Sequence, residues 1–151
     1  MYEDDEKLKN DELFTFELAG LGSRFVATLI DGLIMSVVGG IIIGAATRSG
    51  GSFALTTLLY FLYYWYFWTQ RDGQTPGKMA MKIKVIKTDG APLTAGDVLL
   101  RYFGYWIGSV AFGLGYIWAA FDAKSQGWHD KIANTYVVVA DDEKKKKYVS
   151  V

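Results

Sequence analysis

From Phe25 to Ala46 the chain runs 22 residues with one charge, Asp31, and otherwise only apolar residues, glycine and small hydroxyls. Nothing else in the sequence limits the fold so tightly. A helix of about 20 apolar residues crosses the roughly 30 Å hydrocarbon core of a bilayer, and backbone at that depth must satisfy its own hydrogen bonds. The stretch is therefore expected to be a transmembrane helix. Its carboxylate is the anomaly. An acid at the centre of a span costs about 2.5–3.5 kcal/mol on insertion scales, so Asp31 has to be paired, hydrated or protonated.

Arg24 stands just before this run, seven residues from Asp31. Seven residues are nearly two helical turns, so the two share a face about 10 Å apart along the axis. Arg24 can snorkel to the headgroups; Asp31 lies too deep to do so easily. Two readings of Asp31 stand. In one it is a proton or cation site. In the other it is satisfied structurally, by Arg101, by a tyrosine hydroxyl, or by Arg24 from above.

A second uncharged span is expected over 53–69. It ends in "YFLYYWYFW", eight of nine residues aromatic. Tyrosine and tryptophan suit the membrane interface, so the run reads as an aromatic belt, although Tyr60 and Tyr63 sit deep enough to need hydrogen-bond partners. A third apolar segment, 102–121, contains Gly104, Gly108, Gly113 and Gly115. Basic residues favour cytoplasmic flanks. Three full crossings would split the 16 Lys and Arg 9 against 7, whereas a glycine-broken hairpin at 102–121 splits them 15 against 1, with Arg48 alone outside. The hairpin is the preferred reading, broken between Gly108 and Gly115. It puts both termini in the cytoplasm of a multi-pass protein of the cell (inner) membrane. The acidic, polar start lacks the basic-then-apolar layout of a secretory signal.

The polar segments carry strand patterns. "MKIKVIK" alternates apolar residues with lysine, which argues a strand with one covered face. "NTYVVVAD" is a second candidate and "FTFEL" a weaker third, and isolated strands are marginal, so they are expected to pair into a small cytoplasmic sheet. "TDG" at 88–90 signals a turn. "LTAGDVLLRY" looks like a helix start, with Thr94 as N-cap and Asp97 three residues on. The overall expectation is an all-α membrane protein with a small surface sheet: an acidic tail over 1–19, a membrane domain over 20–140 and a basic tail over 141–151.

Several chemistries are excluded. There is no cysteine, and His129 is the one histidine, so neither disulfides nor a multi-histidine metal site can form within the chain. "GQTPGK" has three residues between its glycines where a phosphate loop has four, and Met79 follows the lysine. It is read instead as a tight turn bent by Pro76 and Gly77. No nucleotide, nucleic acid, metal or cofactor is expected, and no catalytic set is visible. "QGWHDKIANT" places His129 and Asp130 just past the last apolar segment. The pair could relay protons or lock that segment against the membrane surface, and locking is favoured. "GIIIG" and "GYWIG" have the small-xxx-small spacing that lets helices approach closely. Lys144–Lys147 would be drawn to anionic lipid.

Together, "SRFVATLIDG", "GQTPGKMAMKIKVI…DG", "LLRY" and "FDAKSQGWHDKIANTYVV" resemble the RDD family of small membrane proteins, over roughly residues 20–140. The resemblance implies an integral membrane protein, mostly bacterial. It makes Arg24 the signature arginine and Asp31 the first signature aspartate, with Asp130 as the second and Asp122 as the alternative. Two functions follow as expectations. The first is an oligomeric component for transport of a small ion or solute, with Asp31 as the coupling acid, Arg24 and Asp130 at the cytoplasmic mouth, and Arg101, Asp122 and His129 in support. The second is a scaffold or accessory subunit of a larger membrane complex, with Arg24, Asp31 and Asp130 as a structural clamp.

Overall fold

A computed structural model describes residues 15–46, 53–140 and 148–150. Most of the acidic start, the turn carrying Arg48, and Lys144–Lys147 lie outside the described residues. The chain order is β1 (Thr15–Glu17), α1 (Leu21–Ala46), α2 (Phe53–Gln70), α3 (Pro76–Ala80), β2 (Ile83–Lys87), α4 (Ala95–Val110), α5 (Leu114–Ile117), a 3-10 turn (Trp118–Ala120), α6 (Trp128–Ile132), β3 (Thr135–Val139) and β4 (Tyr148–Ser150).

Helix α1 begins one turn earlier than the apolar run and so takes Arg24 into its first turns. Over Leu21–Ala45 it is long and apolar enough to cross a membrane. It presents Phe25, Leu29, Leu33, Val37 and Ile41 outward, a surface suited to lipid rather than water. Among the described residues no other helix passes that test of length and hydropathy. The expected second span is a helix of 18 uncharged residues, whose tyrosines and tryptophans lower its hydropathy below that of α1. Its aromatic run divides by helical face. Phe61, Tyr64 and Trp68 turn inward, with Trp68 buried and stacked on Tyr64 at 4.7 Å, while Trp65 and Tyr66 stay exposed. Much of the expected belt is thus a packing surface, because inward positions recur every three or four residues.

The third apolar segment is broken. A reciprocal capping box opens α4: Asp97 accepts from the Thr94 N–H at 2.7 Å, and Thr94 Oγ1 accepts from the Asp97 N–H. The helix stops at Val110. Gly113 adopts the left-handed conformation at φ +79°, and the chain doubles back so that Gly108 and Gly115 pack backbone to backbone. The "GYWIG" spacing serves contacts inside this chain, whereas nothing in the described structure approaches Gly40 or Gly44 of "GIIIG".

Strands β2 and β3 pair antiparallel, with Val85 opposite Val137, burying Ile83, Val85 and Val137 against Trp68, Leu93 and Val98. The expected third strand pairs with them through an isolated bridge from Leu18 to Val138, and its Phe16 and Leu18 pack against Ile86, Tyr136 and Val138. Its own partner is β4, a strand the sequence reading left inside the basic tail. The expected bend at Pro76–Gly77 is also elsewhere. Asp72 and Gly73 make it, both at positive φ, and the Gly73 carbonyl accepts from the Val85 N–H at 3.0 Å. Pro76 instead opens a helical turn, where its missing N–H and fixed φ cost nothing.

Candidate functional site

Two carboxylates organise the described structure, and each is buried. Asp31 is 1% exposed. Its Oδ1 accepts from the Tyr63 hydroxyl at 2.8 Å and from the Gly77 N–H at 2.8 Å, and its Oδ2 accepts from the Thr75 hydroxyl at 2.5 Å. The local reason is helix capping. Thr75 is the N-cap of α3 and accepts from the Lys78 N–H at 3.3 Å, and Asp31 satisfies a further first-turn donor from outside. The positive end of a helix favours a carboxylate there. The segment that superficially resembles a phosphate loop therefore holds the protein's own acid. Gly77 makes the approach possible: a Cβ at this position would collide with the Ala27 carbonyl and with Asp31 Cγ at 2.9 Å.

The second centre is Asp130, fully buried. Arg101 Nη1 donates to its Oδ1 at 2.6 Å. Arg24 Nη2 and the Gly127 N–H, the latter at 3.0 Å, donate to its Oδ2. The Gly127 bond is the local one, since Asp130 is the third residue of α6 and reaches back to the residue before it. The arginines then extend the network. Arg24 donates to the Ser125 carbonyl, and Arg101 to the Thr135 hydroxyl and to the Tyr105 hydroxyl at 3.2 Å. The Arg101 guanidinium lies 4.7 Å from the centre of the Trp68 ring, a cation–π distance. One carboxylate thereby ties α1, α4, α6 and β3 together.

Burial alone would raise the Asp130 carboxyl, but the charges of Arg101 and Arg24 outweigh it and hold the group well below the usual carboxylate range. His129 stacks on Tyr105 at 4.3 Å, with Nε2 3.5 Å from Asp130 Oδ2 and from Arg24 Nη2. Burial pushes it down to about 3, with Arg101, Arg24 and Lys78 adding to the effect against Asp130, so the ring is neutral at physiological pH. Gly104 brings α6 this close: a Cβ there would strike the His129 backbone.

Arg24, Arg101, His129 and Asp130 thus meet in one site. Asp31 does not join them, although it shares a helix with Arg24, and Arg101 is not its counter-charge. The tyrosine hydroxyl considered for it is Tyr63. Asp122 lies apart, pairing with Lys131 at 2.5 Å and accepting from the Lys124 and Gln126 N–H groups at 3.1 Å. Thr75, Gly77, Lys78 and Thr135 were missed. A Thr-Pro pair is a helix-start signal and would have pointed to Thr75. The other three fall inside the quoted motifs, Gly77 read there only as part of a bend, and no local signal assigns them to a site.

The model of the RDD family matches residues 18–134, a stretch that takes in both centres. Two proteins of Bacillus subtilis (strain 168) are similar across most of the chain. One, described as uncharacterized protein YxaI, is 29% identical over 146 residues, covering 80% of this chain and 96% of its own. The other, described as uncharacterized membrane protein YteJ, is 32% identical over 140 residues, covering 84% of each. No solved structure matches.

Proposed function

The chain belongs to the RDD family and is a membrane protein, and on that premise we propose that it serves as a membrane-embedded accessory or assembly subunit of a larger membrane complex. The observation that carries this reading is the state of the two carboxylate centres. Asp31 is engaged by three donors of its own chain, and Asp130 by two arginines and a backbone N–H. Groups so engaged hold α1, the α4–α5 hairpin and the surface sheet in one arrangement. In this reading α1 and α2 cross the membrane, the hairpin enters and returns, and both termini are cytoplasmic. The outward face of α1, with the open strip at Gly40 and Gly44, meets a second copy or another subunit.

Chemical crosslinking in intact membranes is the test. It is expected to link α1 to another polypeptide at defined positions, while the purified chain in proteoliposomes gives no ion flux above empty vesicles. Flux from the chain alone, abolished by Asp31→Asn in a well-folded protein, overturns the proposal in favour of transport. That second reading requires an ion or proton to displace a donor from Asp31.

A further inference from the structure

The clamp leaves two adjoining cavities unexplained. One, of 420 Å³, has Arg24, Lys78, Arg101, Tyr105, Tyr116 and His129 among its walls. The other, of 380 Å³, shares Thr28, Lys78, Tyr105 and Tyr116 with the first. Lys78 is the charged residue common to both. It is 6% exposed, and its ammonium lies 5.7 Å from the centre of the Trp68 ring. Among the described residues no carboxylate pairs with it and no oxygen accepts a hydrogen bond from it. Both nearby carboxylates are committed elsewhere, Asp31 to Tyr63, Thr75 and Gly77, and Asp130 to Arg24 and Arg101. Three formal cations, Arg24, Lys78 and Arg101, therefore face two formal anions, with one positive charge left over. Arg101, which lines the larger cavity, has its Nε buried without a hydrogen-bond partner among the described residues.

Lys78 is a buried side chain whose ammonium borders the cavities and has no carboxylate partner among the described residues, a costly arrangement, and a singly charged anion in the cavity would neutralise it. The rim restricts which anion. Leu21, Phe25 and Ile117 line the larger cavity and are exposed by 40%, 65% and 55%, so the opening is apolar and lies at the end of α1 that carries Arg24. A ligand entering there needs a charged head and an apolar body. We propose that this cavity binds the phosphate of an anionic phospholipid, with Lys78 as its cation, the Tyr105 and Tyr116 hydroxyls beside it, and the acyl chains outside along Phe25 and Ile117. A phosphodiester carries one negative charge, equal to the excess. Burial, and then Arg101, depress Lys78 to about 8, and a bound phosphate would counter both. The proposal concerns a ligand, and it holds whether the chain assembles with others or transports alone.

The test compares retained lipid among variants by native mass spectrometry. Protein purified in mild detergent is expected to keep about one equivalent of phosphatidylglycerol, and Lys78→Met to lose it at least tenfold. Because Lys78 is buried, Thr28→Glu provides a second variant. Thr28 is exposed and lines both cavities, and an acid there would repel the phosphate without removing a core group, so the same loss is expected. Equal retention by Thr28→Glu and the unmodified chain overturns the site. Thermal stabilisation of delipidated protein separates the sources. Phosphatidylglycerol should raise Tm and millimolar inorganic phosphate should not; the reverse result assigns the cavity to a soluble anion and overturns the lipid.

Discussion

Asp31 and Asp130 are both buried acids, yet substitution should affect them differently. Asn at 31 keeps an oxygen for Tyr63 and Gly77, and the Thr75 hydroxyl can rotate to accept from the new amide. The loss is one charge-assisted component, about 1–2 kcal/mol. Asn at 130 leaves the buried Arg101 guanidinium without its carboxylate, and removing one partner of a buried pair costs about 3–5 kcal/mol. Asp130→Asn is therefore expected to lower the melting temperature in detergent micelles clearly more than Asp31→Asn. Equal shifts would mean that Arg101 is compensated by other groups. Residue chemistry alone marks both acids as unusual. It does not rank them, since the ranking depends on which one faces an arginine.

Among the elements, α3 carries a disproportionate share of the architecture for five residues. It is too short to be a stable helix by itself. Its first turn is held by Thr75 from within and by Asp31 from α1, and Gly77 lets it touch the α1 backbone. Gly77→Ala should force α3 away from α1 and break the bonds to Asp31. The expected result is loss of folded protein, or a fall in stability of several kcal/mol by the overpacking and lost-bond terms together. Fluorescence-detected size exclusion would read it. Gly40→Ala, where the added Cβ would meet no described atom within 4 Å beyond its own stretch of helix, is the control that should leave the isolated chain unchanged. The elements themselves were largely legible in the sequence. The alternation of "MKIKVIK", the capping box at Thr94 and the glycine break after α4 each reflect a local period or a local backbone requirement. β4 was missed because its pairing with β1 joins the two ends of the chain.

For the whole molecule, the buried histidine and acid set the response to pH. His129 falls from an ordinary 6.5 to about 3 on folding, so the unfolded chain takes up a proton that the folded one refuses. Asp130 is likewise depressed from 3.8. For both, the stabilisation is complete above the unfolded value and is lost as pH falls. Stability should therefore decline from about pH 6.5 downward through His129, and more steeply below about pH 4 as Asp130 contributes. Lys78, lowered from 10.5 to about 8, has the same sign at the alkaline end, so stability should rise between those values. Thermal melts from pH 7 to pH 4 would check the acid limb. His129→Phe keeps a ring against Tyr105 and removes the titration, so its melting temperature should depend less on pH over that interval.

What the sequence determined by itself is everything governed by short-range periodicity and composition: an apolar helix long enough to span, two strands of which one alternates apolar residues with lysine, a capped helix that breaks at glycine, and the residues that resemble a family signature. The tertiary structure decided the pairings. It sent Arg24 and Asp31, neighbours on one helix face, to different centres. It gave Arg101 to Asp130 across 29 positions and Thr75 to Asp31 across 44, and it left Lys78 buried with no carboxylate partner among the described residues. The physical reason is that a carboxylate's partner depends on helix contacts ångströms apart in space and tens of residues apart in sequence. Those distances are set by close approaches at Gly77 and Gly104; the "GYWIG" spacing marks Gly104 as a contact point, but no local pattern says what packs against either glycine.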